Sequence, residues 1–375
     1  MIDPQLEWQT ERLIAEPLRV EHADDAHLFL RDESMYEFTG GSPLSVAELR
    51  QRFERLQQRR SPDGAEVWCN WALRVKKTGE AVGLLQSTLP TGGPSSDVAQ
   101  VAWEVGLKHQ GRGYASEAAR ELVRQLLSDN WCVVADIHPE HTASQRVAHH
   151  AGMVSTSQIV DGEVRWWAEP WGGSREVIDP PWEAWSPSEL AERLTDVTAP
   201  WAVAAGWALD LFRGEQTREH EDLELAVPIA EFHQIQMALQ GLEFEVVGSG
   251  HSWPIDSAAF NFMVQTWLRE PTSGVYRLDV FREPHAGDQW ICRRDQRIRR
   301  PYSEVVETTH EGVPYLAPEI VLLFKAKHDR SKDHADFEGV LPLLDDHRKC
   351  WLRDALLLVH PTHPWLAKLP EEEPS

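Results

Sequence analysis

A glycine-containing turn between a predicted strand and a predicted helix is the first feature of this sequence that could bind a ligand. Residues 101–107 form an alternating run typical of a strand, and apolar residues recur every three or four positions from residue 115, which predicts an amphipathic helix. Gly111 and Gly113 lie between them. Backbone N–H groups at a helix N-terminus lack partners inside the helix and carry the positive end of its dipole. Because glycine lets a ligand approach these amides closely, the pattern predicts a bound phosphate or pyrophosphate.

The turn is neither a Walker loop, since no Gly-Lys-Ser/Thr follows, nor a dinucleotide fingerprint, since the third glycine is missing. Gln110, Gly113 and Ala115 resemble the Gln/Arg-x-x-Gly-x-Gly/Ala signature of the GCN5-related N-acetyltransferases (GNAT). That resemblance implies acetyl-CoA as the cofactor, bound with its pyrophosphate at the turn. The residues implied in this site are Val105, Gly106, Leu107, Gln110, Gly111, Arg112, Gly113, Tyr114, Ala115 and Ser116.

Two further segments are similar to the same family. Residues 11–18 resemble the opening strand of its ribosomal-protein alanine acetyltransferase branch. Residues 142–153 resemble its Asn-Thr-Ala-Ser-x-x-Val-x-x-x-x-Gly-Met segment, through Ser144, Val147, Gly152 and Met153. His141 stands where that segment has Asn, and the resemblance implies a cofactor contact from this position to the pantetheine arm. Residues 142–145 also predict a capping box at the start of a helix.

Acetyl transfer to an amine needs one group that accepts a proton from the ammonium and another that supplies a proton to the departing thiolate. Glu104, on the predicted strand just before the turn, is the candidate base, acting through water. An outward-facing strand carboxylate is the alternative, and the sequence does not decide between the two. Ser144 is the candidate donor to the thiolate; alternatively, its hydroxyl serves only the helix N-terminus.

A second group of residues with chemical potential lies in the C-terminal half. Residues 201–207 predict a strand that runs into a glycine turn and a helix at 208–212. Asp222 and Glu224 are two positions apart in a predicted strand, so their carboxylates would point to the same side. Asp279 lies in another predicted strand. Three carboxylates beside a glycine turn suit a divalent cation and a nucleoside triphosphate.

These residues resemble motifs of the aminoglycoside adenylyltransferase type of nucleotidyltransferase, Gly-Gly-Trp-Ala-x-Asp and Arg-x-His-x-Asp-x-Asp. The resemblance implies ATP contacts from Gly206, Trp207, Lys327 and Lys332. It implies Mg²⁺ ligands at Asp222, Glu224 and Asp279. Ala205 replaces the first glycine, which leaves the triphosphate less room, and Glu224 replaces the second aspartate, which lengthens one ligand by a methylene. A binding module that has kept the fold and lost the metal is therefore the alternative.

The predicted fold class is α/β (α+β), in two domains. The resemblances imply a GNAT domain with a mixed central sheet flanked by helices over residues 1–171, and a nucleotidyltransferase-fold domain with a helical C-terminal part over residues 188–375. Glycine, proline and serine residues predict a linker over 172–187. A length of 375 residues suits two such domains.

The composition limits the classes of binding partner and the cellular compartment that can be expected. The formal net charge of −23 argues against a nucleic-acid partner, because phosphate contacts need Lys and Arg. The same charge would steer a cationic substrate, although a merely soluble acidic surface explains it equally well. Four cysteines lack metal-ligand spacing and predict reduced thiols in a cytoplasmic protein. No apolar run approaches the roughly 20 residues of a membrane span. A homodimer is left open.

The functional hypothesis is a bifunctional transferase. One half would move acetyl from acetyl-CoA to an amine of a small cationic, aminoglycoside-like substrate, and the other would move a nucleotidyl group from ATP to a hydroxyl, as in antibiotic inactivation. The alternative is acetylation of a protein N-terminus, with the second half as a non-catalytic module. No residue identifies the acceptor or the base for the hydroxyl.

Overall fold

The computed structural model describes residues 2–94, 98–170, 175–327 and 330–370. The chain divides into two compact units, residues 1–173 and residues 174–375. Within the described ranges, no helix combines the length and apolarity needed to cross a membrane.

Unit 1 is built on a mixed sheet. In its described part, eight strands lie in the order β1-β2-β3-β4-β5-β6-β8-β7. The strands are β1 (Trp8–Gln9), β2 (Leu13–Pro17), β3 (Glu66–Val75), β4 (Ala81–Pro90), β5 (Val98–Val105), β6 (Cys132–Ile137), β7 (Val154–Val160) and β8 (Glu163–Ala168). The helices are α1 (Ala23–Leu30), α2 (Val46–Leu56), α3 (Tyr114–Ser128) and α4 (Thr142–His150).

The two faces of this sheet are covered by different helices. Trp71 and Leu73 of β3 pack in one core with buried residues of α3 and α4. Ala72, which points to the opposite face, packs in a second core with α1 and α2. Glu104 pairs with Leu84, which in turn pairs with Ala72, so Glu104 lies on the face covered by α1 and α2.

β5 and β6 form a parallel pair joined by α3, and this pair separates early. Their ladder joins residues 98–100 to residues 132–134. Beyond that point, β5 continues against β4 and β6 continues against β8. A gap therefore opens between the carboxyl halves of two neighbouring strands, which is where ligands commonly bind in sheets with parallel strands.

The start of α4 differs from the predicted capping box. His141 is the N-cap residue and no side chain caps the helix. The Gln145 amide donates instead to the carbonyl of Pro139 at 2.7 Å. The real capping box of this unit lies at Ser45, whose hydroxyl accepts from Glu48 N at the start of α2.

Unit 2 contains a larger mixed sheet. In its described part, nine strands lie in the order β19-β20-β10-β11-β15-β14-β12-β13-β9, beside a three-stranded sheet β16-β17-β18. The strands are β9 (Arg175–Glu176), β10 (Ala202–Val203), β11 (Glu224–Pro228), β12 (Glu243–Gly248), β13 (His251–Pro254), β14 (Gln265–Arg269), β15 (Tyr276–Glu283), β16 (His285–Ala286), β17 (Gln289–Ile291), β18 (Arg299–Pro301), β19 (Val306–Thr308) and β20 (Pro314–Leu316). The helices are α5 (Pro187–Arg193), α6 (Ala205–Arg213), α7 (Phe232–Ala238), α8 (Tyr302–Val305), α9 (Pro318–Lys325), α10 (Ser331–Val340) and α11 (Asp346–Val359).

Much of the segment predicted as a linker over residues 172–187 is ordered on this sheet. Residues 172–174 lie outside the described ranges, but β9 pairs with β13. Trp182 bridges to Tyr276 and contacts the ring of Trp267 edge-on, with centroids 5.2 Å apart. Glycine and proline signals could not reveal this, because the aromatic partners come from strands about 90 residues later.

The strand predicted over residues 201–207 is shorter than expected. β10 has only two residues, and Ala205 begins α6. Ala205 has φ of +50°. This left-handed conformation is the reason that glycine suits the position, because a Cβ is disfavoured there.

Replacing Ala205 with Gly should stabilise unit 2. Relief of the left-handed strain is offset in part by the greater freedom of glycine in the unfolded chain, which leaves a gain of about 0.5–1 kcal/mol. Ala208→Gly, in the interior of the same helix, should destabilise instead. Thermal and urea unfolding of both variants would check this; a destabilised Ala205→Gly would show that Ala205 carries no strain.

Candidate functional sites

The glycine turn lies at the N-terminus of α3. Gly113 is the N-cap with φ of +79°, and no side chain caps the helix. Gly111 also has positive φ, at +71°. The first helical bond runs from Glu117 N to the Gly113 carbonyl at 3.0 Å. Tyr114, Ala115 and Ser116 thus form the first turn, whose N–H groups have no partner inside the helix.

Arg12 holds this turn against the start of β2. Its Nη1 donates to the carbonyl of Arg112 at 2.9 Å, and its Nε donates to Glu117 at 2.5 Å. Its guanidinium lies 5.0 Å from the ring centre of Tyr114. From the sequence, Arg12 could be assigned only to a strand motif, because the partner carboxylate lies 105 residues away.

The strand end is fixed by contacts from the rest of the turn. The Gln110 amide donates to the Val105 carbonyl at 2.9 Å. A Cβ on Gly106 would lie 2.4 Å from Phe29 Cβ, so glycine allows α1 to approach the strand end closely. Leu107, which follows, is exposed. The predicted cofactor residues therefore form one continuous turn beside the gap between β5 and β6.

Glu104 lines a pocket between the sheet and α2. The pocket also contains Arg52, Asn70 and Gln86, with apolar walls that include Leu84 and Phe53. Glu104 Oε2 and Asn70 Nδ2 are buried without a hydrogen-bond partner. Burial raises the pKa of Glu104 and Arg52 lowers it less. Asn70 was missed in the sequence, where its signal is a lone amide inside the apolar run of β3.

His141 and Ser144 lie at the start of α4. The His141 ring stacks on Phe38, with ring centres 4.5 Å apart. Burial lowers the pKa of His141, and nearby His138 lowers it further. Ser144 is partly buried in the first turn of the helix. The structure thus places both residues at one helix terminus, with neutral histidine favoured at position 141.

In unit 2, Glu224 and Asp279 are direct neighbours on the parallel strands β11 and β15. Burial raises the pKa of Glu224 to about 7, with a further increase from Asp222. Burial and the Glu224 carboxylate raise the pKa of Asp279 well above its usual range. Asp279 Oδ2 accepts from Gln265 Nε2 at 2.5 Å, while its Oδ1 is buried without a partner.

Asp222 is not in a strand, contrary to the sequence prediction. It lies in the loop before β11, because the strand begins only at Glu224. Among the described residues, no set of three or more His, Cys, Asp or Glu side chains is placed to hold a metal ion. Mg²⁺ is usually bound by one or two carboxylates together with substrate phosphates. Glu224, which is partly buried, and Asp279, which is buried, fit that pattern, since a cation would lower the raised pKa of both carboxylates.

Cations surround the same carboxylates. Arg293, Lys325 and Lys332 each lower the pKa of Glu224. Lys332 is exposed, whereas Lys325 is buried and pairs with Asp336 at 2.7 Å. Lys327 is exposed, and desolvation and the nearby Arg293 and Arg294 lower its pKa. Residues 328 and 329, which follow Lys327, lie outside the described ranges.

Gly206 and Trp207 are packed on the motif that follows α6. A Cβ on Gly206 would lie 2.5 Å from Arg218 Nη2 and from His220 Cε1. The Trp207 ring packs against His220 at a tilt of 31° with ring centres 4.6 Å apart, and His220 Nε2 lies 2.7 Å from Asp210 Oδ2. The matched motif residues thus interlock with one another, and this packing explains why a residue without a side chain is needed at position 206.

Comparison with known families finds a different similarity in each half of the chain. Residues 12–154 match the family model for the acetyltransferase (GNAT) domain. Residues 188–256 match the model for aminoglycoside-2''-adenylyltransferase. Each model covers less than half of the chain, so each match is a similarity of the residues it spans; for this similarity, unit 1 is called the GNAT domain below and unit 2 the adenylyltransferase-like domain. Both resemblances in the sequence are confirmed, and so is the α/β (α+β) fold with its GNAT-like mixed sheet.

Solved structures similar to the chain cover its GNAT domain. A GNAT-family acetyltransferase from Bacillus anthracis is 16% identical, covers 44% of this chain and 99% of its own, and has a TM-score of 0.38. The ribosomal-protein-S5-alanine acetyltransferase from Vibrio fischeri is 10% identical, with 44% and 98% coverage and a TM-score of 0.37. A microcin C7 self-immunity acetyltransferase in complex with acetyl-CoA and AMP is 11% identical, with 42% and 93% coverage and a TM-score of 0.35. No curated protein matches the sequence.

The buried Glu224 of the adenylyltransferase-like domain should make stability depend on pH. Its native pKa of about 7 lies above its ordinary value of 4.5. The stability it contributes is therefore complete below about pH 4.5 and is lost as pH rises through 7. Glu224→Gln should be more stable than wild type at pH 8, by on the order of 3 kcal/mol, and the difference should vanish near pH 4.5.

Thermal unfolding of unit 2 from pH 4.5 to pH 8 would measure this difference. Glu221→Gln, which removes a neighbouring exposed carboxylate, serves as the matched control and should show no such trend. A Glu224→Gln variant less stable than wild type at pH 8 would contradict the assignment of Glu224 as a buried, uncompensated acid.

Proposed function

We propose that the chain is a bifunctional transferase. Its GNAT domain transfers acetyl from acetyl-CoA to an amine, and its second domain transfers a nucleotidyl group from ATP, with Mg²⁺, to a hydroxyl. The observation that carries the first activity is the unpaired, buried oxygen of Glu104 in a pocket on the strand that ends at the open turn of α3. The two family matches support the pairing of activities.

In the GNAT domain, the residues of the turn bind acetyl-CoA, and Glu104 on β5 takes part in the reaction. The backbone amides from Gly113 to Ser116 bind the pyrophosphate of acetyl-CoA, and Arg12 holds the turn in place. Acetyl-CoA supplies the thioester. Glu104 takes one proton from the acceptor ammonium through water, so that the amine can form the new C–N bond as the C–S bond breaks. Burial raises the pKa of Glu104 toward neutral pH, and this makes the carboxylate a stronger base.

The departing thiolate needs a proton, and Ser144 is assigned to donate it. Ser144 lies in the first turn of α4, where the helix N-terminus also stabilises negative charge. His141 contacts the pantetheine arm with its ring held by Phe38. Both roles follow from the family resemblance and from their shared position at this terminus.

In the second domain, Glu224 and Asp279 would hold Mg²⁺ together with the phosphates of ATP, and Asp222 lies in the loop just before Glu224. Bound Mg²⁺ would neutralise charge on the triphosphate. Lys327 and Lys332 bind the phosphates, and Arg293 lies close enough to influence Glu224. Gly206 and Trp207 contribute to the nucleotide site through the packed motif around His220. The family match supports an aminoglycoside-like hydroxyl acceptor, and with it a role in antibiotic resistance.

Replacing Glu104 with Gln should lower kcat for acetyl transfer by about 10²- to 10⁴-fold, the range expected for loss of a general base. Binding of acetyl-CoA should persist, because the turn does not use this side chain. Glu163→Gln is the matched control, since Glu163 has a pKa also raised by burial but lies on β8. Release of CoA thiol on a panel of amines measures the effect. Full activity in Glu104→Gln would remove Glu104 from the reaction.

Calorimetry with Mg²⁺ and ATP tests the second domain. Asp279→Asn should weaken binding of Mg²⁺–ATP at least tenfold, because it removes one of two buried carboxylate ligands. The exposed Asp196→Asn in the same unit is the control and should bind like wild type. Binding that is absent in wild type, or unaltered in Asp279→Asn, would indicate a non-catalytic module in place of a nucleotidyltransferase.

A further inference from the structure

The pocket at Glu104 contains more polar groups than proton transfer requires. Arg52 reaches it from α2, and Asn70 and Gln86 reach it from β3 and β4. Asn70 and Gln86 pair directly on neighbouring strands, and Gln86 pairs with Ala102, so these residues lie on the same face as Glu104. The pocket therefore offers a cation, a carboxylate and two amides within one enclosure.

Two of the donor groups lack a protein acceptor. Asn70 is only 5% exposed and its Nδ2 has no hydrogen-bond acceptor. Within residues 2–94 and 98–170, the Arg52 guanidinium makes no hydrogen bond or ion pair, although its neighbour on the same helix, Arg50, pairs with Asp24 at 2.7 Å. Arg52 influences Glu104 electrostatically, yet no ion pair joins them. The Arg52 guanidinium is only partly buried, whereas Asn70 Nδ2 is a buried donor without an acceptor, which is uncommon in proteins and indicates a missing acceptor.

A ligand that satisfies this pocket must bring both charges. Its ammonium group belongs beside Glu104, which receives the proton. An anionic, planar acceptor belongs beside Arg52 and Asn70, because a guanidinium and an amide N–H both donate to carboxylate oxygens. A polycation without an anion would place a second ammonium near Arg52 and leave the Asn70 donor unpaired. The overall charge of −23 attracts such polycations to the protein, but it does not pair these two donors.

We infer that the acetyl acceptor of the GNAT domain is a small amine that also carries a carboxylate, such as an α-amino acid, bound with its carboxylate on Arg52 and Asn70. This inference rests on the proposed acetyltransferase function, and it separates the acceptor of this domain from the aminoglycoside-like acceptor of the second. The ammonium loses one proton to Glu104 and the nitrogen forms the amide bond to the acetyl carbon. As the C–S bond breaks, the nitrogen releases its second proton and the CoA thiolate takes up one proton by way of Ser144, so the products are the N-acetyl amino acid and CoA.

The test compares each α-amino acid with the amine that remains after loss of its carboxylate, such as histidine with histamine and tyrosine with tyramine. We expect wild-type protein to show a higher kcat/KM for the amino acid of at least one pair. Arg52→Gln should lower the ratio of the two kcat/KM values by about 10- to 100-fold, chiefly through KM, as expected for loss of one charge-assisted hydrogen-bonding pair. Arg55→Gln, which removes an exposed arginine from the same helix, is the control.

Arg52→Lys gives a second measurement should Arg52→Gln fold poorly. It keeps the positive charge but loses the planar fork, so an intermediate ratio is expected. Higher kcat/KM for the decarboxylated amines or for an aminoglycoside, with the ratio unchanged in Arg52→Gln and Arg52→Lys, would overturn the inference and leave acetyl transfer intact. Failure of wild-type protein to release CoA with any amine would instead overturn the proposed function and the inference with it.

Discussion

Burial of carboxylates without full compensation is the constraint shared by both candidate sites. Glu104 in one unit and Glu224 and Asp279 in the other all have a raised pKa for the same first reason, the loss of hydration. A fold gains nothing in stability from such groups, because desolvating a charge is costly unless it is paired. Raised acidic pKa values at the lining of a pocket or between neighbouring strands are typical of sites that handle protons or cations.

Sheet topology determines where these carboxylates lie. In the GNAT domain, the parallel strands β5 and β6 separate after three residue pairs, and the turn into α3 begins where β5 ends. In the second domain, the parallel register of β11 and β15 brings Glu224 and Asp279 side by side. The antiparallel β14 then supplies Gln265 to Asp279. In both units, a pair of parallel strands with an antiparallel neighbour determines the positions of the reactive side chains.

The two sites differ in whether the neighbouring cations already have acidic partners. Arg52 lines the pocket of Glu104 without an acidic partner, so the pocket can accept an anion. Beside Glu224, the buried Lys325 forms ion pairs with Asp333 and Asp336, so those two acids largely neutralise its charge. Arg293 is likewise paired with Glu283 and lies 4.1 Å from the ring centre of Phe324. The net charge of the whole chain conceals these local differences, because charge contacts act over short distances in salt.

The sequence by itself determined the two family resemblances, the strand–turn–helix at Gly113 and most of the regular elements, because these depend on short-range patterns of apolar residues and glycine. It did not reveal that Asp222 precedes its strand or that residues 175–183 join the second sheet. It also did not reveal that Gln145 donates a hydrogen bond to the Pro139 carbonyl and does not form the predicted capping box. Each of these depends on the local backbone conformation or on pairing with a strand that is distant in the sequence. The Arg12–Glu117 contact and the pocket shared by Arg52, Asn70 and Glu104 were likewise decided only by the tertiary structure, which brings together residues separated by up to 105 positions and leaves specific polar atoms unpaired.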